Sequence, residues 1–534
     1  MKHIKQFFLF VEKNPTYLHG FIILLLFPAY LINLGLFPFN LDEATRAVVA
    51  LEMKFSGNYI LPTINGEFYY NKPPLFNWIQ LLFVNASGSM DELIFRLPVI
   101  MSLVGFGLTV FLTLKKELGY RTALLASLAV ITSGRILFYD SFKGLIDISF
   151  SWLIYLNFWV IFNNFGKGRF FQLFALSWLI TALGFLLKGL PSLVFQGISL
   201  LAWFVSQKSF RKLFTLQHVA GGMIFMVIVG AYLALYNEGN SLSYYIANLW
   251  TESAKRTPIE NTALSTIRHL FTFPYEFIYN FLPWTVFIVV LFSRRIVKLI
   301  LEKKPLVFFA IVSLANILIY WISPAIYPRY LFMFLPPLFA ILVFAFYQLE
   351  EESFLKKYFF TNLSHAIAVL IPLSLAAIPF LLDSSLYSDF YLKLIILAGL
   401  ALVLCVLHFR FKYERAIILV GFLLLVRIGF NFYVFEDRMR TGIDVYQKND
   451  VISVARETKG RPLYLYQNCP IHYTSTFYIE RERQEILSRW KGEMEQDKLF
   501  IVPEKDRNNL PAHKVISTFE TNLGFLRLSV IELE

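Results

Sequence analysis

A pair of carboxylates and a lysine, Asp42-Glu43 and Lys72, share one polar stretch, LDEATRAVVALEMKFSGNYILPTINGEFYYNKPPLFNW (41–78), directly after the first long apolar run. Charge held against a bilayer is costly and usually functional. A carboxylate can take a proton from an acceptor or orient it, and an ammonium can offset charge building on a departing phosphate. Together they suit group transfer from a phosphate at a membrane surface. Each residue also has a plain structural reading. Acids favour helix N-termini, and a lysine at headgroup level can snorkel. Further candidates are Asp147, inside the apolar run GLIDISFSWLIY; Lys188, closing a later run; and the outer-loop cations Arg256 and Arg329. Lysine would act as a point charge on phosphate and arginine as a fork.

The elements that must position these groups are membrane helices. The chain has 534 residues, 57% hydrophobic and 16% charged, with 57 Phe. Soluble domains carry about 25% charged residues. The composition excludes a soluble globular protein and predicts a polytopic α-helical membrane protein. Apolar runs near 17–37, 94–114, 121–138, 145–163, 170–187, 190–206, 216–236, 275–293, 306–322, 330–348, 365–382, 390–407 and 416–435 predict about thirteen spans. The net charge of +12 gathers in alternate short loops, as at Lys115-Lys116, Arg294-Arg295 and Lys356-Lys357, which marks those loops as cytoplasmic and gives no indication of nucleic acid. The loops 38–93 and 237–274 then lie outside, as does everything after the last span.

In the first outer loop, Asn40 and Glu43 are spaced as a capping box. Leu41, Ala44, Val48, Leu51 and Phe55 recur at helical spacing, which predicts a helix lying on the membrane surface. Pro73-Pro74 opens a second helix. The division expected is a transmembrane catalytic domain over 1–435 and a small α/β outer domain over 436–534. In the latter, 462–467, 472–480, 498–503 and 525–533 read as strands and 480–496 as a helix. Cys405 sits in an apolar run and Cys469 in the tail, so no disulfide between them is expected.

The loop resembles the GT-C class of integral-membrane glycosyltransferases, in particular the branch of the aminoarabinose (4-amino-4-deoxy-L-arabinose) lipid A transferases and protein mannosyltransferase-like proteins. The residues that carry the resemblance are Asp42-Glu43, Glu52-Met53, Ser56-Gly57, Pro62, Gly66, Tyr69 and Lys72-Pro73-Pro74-Leu75. Weaker echoes are Asp147, Lys188-Gly189-Leu190-Pro191, Pro283-Trp284, Tyr330 and Pro336-Pro337. The resemblance implies a GT-C fold and a polyprenyl (undecaprenyl) phosphate sugar as donor. It implies a glycolipid resembling lipid A, a glycan or a protein as acceptor, and an active site on the periplasmic side of the bacterial inner membrane. It makes Asp42 the catalytic carboxylate, with Glu43 beside it as a second catalytic candidate, and Arg46, Lys72, Asp147, Lys188 and Tyr330 residues around the donor. The branch places Glu just before Lys-Pro-Pro to help hold a metal; here Asn71 stands there, leaving His269 as a lone metal candidate. The family's arginine two residues after the acidic pair is Thr45 here, with Arg46 next to it. No GxGxxG or P-loop is present, as suits a lipid-borne donor. The rival readings are a transporter or flippase, which would place charge at the membrane midplane, and another lipid-linked-sugar enzyme such as a ligase.

Overall fold

A computed structural model describes residues 2–254, 263–324, 326–521 and 526–534. The chain divides into two compact units. The first comprises Met1–Leu34, Ser102–Phe142 and Thr262–Arg438, and the second Gly35–Met101, Lys143–Asn261 and Met439–Glu534.

The fold is polytopic and helical. Among the described residues, 8 helices are long and apolar enough to cross a membrane, by length and composition. Shorter apolar helices stand at Thr16–Leu31, Tyr120–Ile131 and Pro191–Ser206. Asp147–Gly166 is a further helix. The run 275–293 is two pieces rather than one: a helix Ala263–Asn280 and a 3-10 stretch Trp284–Phe292. Pro283 stands between them and has no N–H to continue the helix.

Two buried charged groups in the apolar segments of the first unit are matched, as a bilayer requires. Arg427, 1% exposed, donates to the carbonyls of Leu137 (2.6 Å) and Ala29 (3.2 Å), with the rings of Phe142, Phe430 and Phe435 around its guanidinium. Glu414 accepts from Arg121 at 2.7 Å and pairs with His19 at 3.0 Å.

The second unit contains the motif loop and the tail. The loop opens with the helix Asp42–Ser56, which Gly57 closes in the left-handed conformation at φ 69°. A hairpin of β1 (Thr63–Ile64) and β2 (Glu67–Phe68) follows. Asn65 and Gly66, at φ 53° and 72°, form its turn, the left-handed pair that a two-residue hairpin demands. A side chain on Gly66 would also strike the Ser488 hydroxyl at 2.7 Å. A second helix, Leu75–Ser87, completes the loop.

The tail builds a five-stranded sheet from β3 (Leu463–Tyr466), β4 (Arg489–Trp490), β5 (Leu499–Pro503), β6 (His513–Thr521) and β7 (Leu526–Leu533). Its order is β4-β3-β5-β7-β6, parallel across the first three strands and antiparallel across the last three. Two tail segments differ from expectation. HYTSTFYIE is mostly helix (Tyr473–Arg483), and β4 lies where a helix was expected. The Tyr473–Arg483 helix is buried on nearly every side, so its sequence shows no polar face to betray helical period.

The loop and the tail share one hydrophobic core, in which Phe39, Val48, Leu51 and Met53 pack with Val451, Leu465, Phe477 and Ile501. The Asp42–Ser56 helix is therefore a core element, and the expectation of a surface helix fails. Ten of its residues are buried, whereas Leu41, expected on its apolar stripe, is 65% exposed. The expected capping box is also absent. No side chain caps this helix, because the Glu43 carboxylate is engaged elsewhere.

Glu52 fastens the hairpin. Its carboxylate accepts the main-chain N–H of Asn65 and, at 3.3 Å, that of Gly66. Buried beside it, Glu480 accepts the N–H of Leu487 at 3.1 Å. Burial pushes both carboxyls up in pKa, Glu480 well above its ordinary value because the Glu52 charge adds to the effect. The folded state thus holds a proton that the unfolded chain releases. This contribution to stability is full below the unfolded carboxyl pKa, about 4.3, and is lost as pH rises through the elevated folded value. Wild-type protein should therefore melt at falling temperature as pH climbs above the ordinary carboxyl range, and Glu480→Gln should flatten that slope. Parallel slopes in the two proteins would show that the pair holds no proton.

Candidate functional site

The Asp42–Ser56 helix presents its two leading acids to different surroundings. Asp42 is exposed and Glu43 is buried. Glu43 takes a two-pronged contact from Arg96, Nε to Oε1 at 2.7 Å and an Nη to Oε2 at 3.0 Å, and its Oε1 also accepts the N–H of Gly144 at 2.7 Å. Arg96 spends its remaining donors on the carbonyls of Phe37 (3.1 Å) and Pro38 (3.3 Å). A fork on a carboxylate is among the strongest and most directional pairings available. It fixes the start of the helix, and with it the position of Asp42.

One turn on, Arg46 is buried. Its guanidinium donates to the Tyr69 hydroxyl and lies 5.1 Å from the centre of that ring, while its carbonyl accepts from Asn77 at 2.7 Å. Burial raises the Tyr69 pKa, Arg46 pulls it back, and the nearby Asp42 carboxylate adds to the rise. Tyr69 thus senses both charges. Lys72 follows three residues later, half-buried, on the loop ahead of Pro73-Pro74.

Asp147 and Lys188, two separate candidates in the sequence, form an ion pair of 2.6 Å with each side chain under a tenth exposed. The geometry is that of an antiparallel hairpin. Asp147 begins the helix Asp147–Gly166 and Lys188 ends the helix Phe170–Lys188, so equal lengths return the chain to the same level. Lys188 also lies 4.9 Å from the centre of the Phe150 ring. Arg135, nearby in sequence, pairs with Asp140 at 2.7 Å.

Two close approaches join these groups into one neighbourhood. Gly189, at φ 86°, follows Lys188, and a Cβ there would stand 4.0 Å from Pro73. Gly144, three residues before Asp147, lies against the Glu43 carboxylate. The second unit thus assembles Asp42-Glu43, Arg46 with Tyr69, Lys72-Pro73 and the Asp147–Lys188 pair from four segments of chain.

Arg329, Tyr330 and His269 lie in the first unit. The Arg329 guanidinium lies 4.5 Å from the centre of the Tyr327 ring and 5.8 Å from that of Tyr330. Tyr330 is buried and faces Tyr320 at 6.1 Å. His269 donates through Nε2 to the Tyr320 carbonyl at 3.2 Å. Asn71 accepts from Asn248 at 3.2 Å. Among the described residues no cluster of three His, Cys, Asp or Glu offers a metal site. Arg256 lies outside the described residues.

Comparison with solved structures bears on the architecture. ArnT from Cupriavidus metallidurans in the apo state superposes with a TM-score of 0.67 over 97% of this chain and 98% of its own, at 16% identity. The chain has the GT-C fold and resembles the aminoarabinose transferases. The ArnT structure bound to undecaprenyl phosphate matches this GT-C chain equally well, with a TM-score of 0.66 at 16% identity over 96% of this chain and 98% of that one. Residues 71–234 match the family described as dolichyl-phosphate-mannose-protein mannosyltransferase. Two undecaprenyl phosphate-alpha-4-amino-4-deoxy-L-arabinose arabinosyl transferases are similar in sequence. The Edwardsiella ictaluri protein is 25% identical over 226 residues, 41% of this chain and 40% of its own length. The Pectobacterium atrosepticum protein is 24% identical over 251 residues, 46% and 45% respectively. The chain thus spans less than half the length of these curated relatives.

Within the GT-C fold, sequence reasoning missed Arg96 and undervalued Tyr69. Arg96 left a signal, since a guanidinium near the start of the apolar run DELIFRLPVIMSLVGF needs a buried acceptor. Tyr69 stood in the motif, but nothing in its spacing announced that it would meet Arg46.

Proposed function

We propose that the protein is a glycosyltransferase that moves a sugar, a pentose or a hexose, from a polyprenyl-phosphate carrier of the undecaprenyl kind to an acceptor at the outer face of the bacterial inner membrane. The observation that carries this reading is the neighbourhood in the second unit. An exposed carboxylate, Asp42, is anchored by a buried neighbour and accompanied by Arg46, Lys72 and the Asp147–Lys188 pair. The likeness to a protein crystallised with undecaprenyl phosphate supports the donor class. The gathering of basic residues in alternate loops supports the outward placing of loop 38–93 and of an outer domain over 436–534.

In this reading Lys72 and Lys188 offset the charge that builds on the leaving phosphate. Asp147 holds Lys188 in place. Asp42 takes the proton of an acceptor hydroxyl, or orients an acceptor phosphate, behind the anomeric carbon, and a single displacement inverts that carbon. The acceptor is a glycolipid resembling lipid A, a glycan or a protein. No cofactor enters the scheme.

Reconstituted protein supplied with an undecaprenyl phosphate sugar and membrane lipid extract should form a glycosylated product detectable by mass spectrometry, with undecaprenyl phosphate released. Consumption of no donor across the available sugars would sink the proposal. Lys72→Ala should lower kcat/KM for donor by about 10- to 100-fold, the value of a charge-assisted hydrogen bond of about 1.5–3 kcal/mol. An unchanged dependence of rate on donor would remove Lys72 from the phosphate site.

A further inference from the structure

The first unit contains a cavity of about 310 Å³ whose lining includes none of the residues assigned above to sugar transfer. Its size lies at the small end of ligand pockets, about 300–1,000 Å³. The walls are apolar and largely aromatic, with Trp284, Phe287, Phe346, Phe360, Ile367 and Leu423 among them. Four cations also line it, Arg121, Lys356, Lys412 and Arg415, against the single carboxylate of Glu351.

Two of these charges are matched by neighbours. Arg121 pairs with Glu414 at 2.7 Å and Lys356 with Glu351 at 2.9 Å. The other two meet neutral groups at contact distance, while the Glu351 charge also acts on Arg415. Lys412, exposed, lies 4.6 Å from the centre of the Tyr413 ring, and Arg415 donates to the His408 carbonyl at 3.4 Å. The cavity therefore joins a largely aromatic interior to a net positive rim. Its rim residues fall in the short basic loops near 350–360 and 410–415, the set that charge bias assigns to the cytoplasmic side. That leaflet carries anionic lipid, and basic pockets between membrane helices suit acidic headgroups.

We propose that this cavity holds part of an acyl chain of an anionic phospholipid, with the phosphate seated against Lys412 and Arg415 and Lys356 at its edge. A zwitterionic phospholipid would fit the same walls but gain little from the rim. A free phosphate would meet the rim but leave the walls empty.

The test is native mass spectrometry of the full-length protein released from nanodiscs of mixed phosphatidylglycerol and phosphatidylcholine. Wild type should retain phosphatidylglycerol preferentially, and that preference should fall about fivefold for each lysine removed in Lys412→Gln and in Lys356→Gln/Lys412→Gln. Leu423→Trp, which fills the cavity and leaves the cations in place, should also release the lipid. Millimolar inorganic phosphate should not displace it. Equal retention of the two lipids by wild type would overturn the proposal, and so would an unchanged preference in the double variant. Displacement by phosphate would assign the rim to a small anion instead, and retention by a folded Leu423→Trp would place the lipid on the outer surface. A melting curve in phosphatidylcholine nanodiscs checks that each variant is folded. Lys412→Gln, being exposed, decides the charge question even if Leu423→Trp fails to assemble.

Discussion

Asp42→Asn should insert, fold and melt as the wild type does while losing sugar transfer by about 10²–10⁴-fold, the contribution typical of a positioned acid–base group. The expectation rests on exposure. Asp42 is exposed at the head of its helix while that helix is fixed by others, so removing its charge should disturb chemistry and not assembly. Single-turnover rates on reconstituted protein, beside a melting curve, would measure both. Undiminished transfer by the variant would take Asp42 out of the reaction.

The adjacent acid should behave in the opposite way. Glu43 and Arg96 are each about 2% exposed at their side chains and bound at 2.7 Å. Removing one member of a buried pair strands the other charge and typically costs about 3–5 kcal/mol. Glu43→Ala should therefore show a lowered melting temperature and poor yield, and Arg96→Ala should share that phenotype. The double variant should lose less than the sum of the two, because no lone charge remains. A Glu43→Ala protein with wild-type stability but no transfer would make Glu43 a reacting group after all. The pair of experiments separates two residues that are neighbours in sequence and differ in their surroundings.

How far the sequence could be read depends on the range of the interaction involved. Membrane helices were legible because a bilayer imposes a length of apolar chain on each span, independent of its neighbours. The motif loop stood out in the sequence because acids and lysines beside a membrane are costly to keep. Asp147 and Lys188 were legible singly for the same reason. Their pairing was not, since it follows from two helices of similar length turning back on one another. Long-range packing defeated the reading of the first helix. Leu41, Ala44, Val48, Leu51 and Phe55 made a convincing stripe, but a helix surrounded by the tail has no wet side for a stripe to oppose. The same burial hid the Tyr473–Arg483 helix behind β-branched and aromatic residues, whose local preference the surrounding core overrode. The Asn65-Gly66 turn was a missed local signal, because its strands are only two residues each and show no alternation.

Asn65 also gives the protein a constraint in time. Its side chain donates to the Thr476 hydroxyl and the Leu487 carbonyl, and its own carbonyl accepts from Arg489. These partners are made 411 and more residues later in synthesis. A ribosome delivers the loop early and the tail residues that seat it late, so a nascent chain must carry an unfinished loop through the insertion of the membrane helices between them. Any message cut short before Thr476 would yield the membrane helices with a loop that never sets.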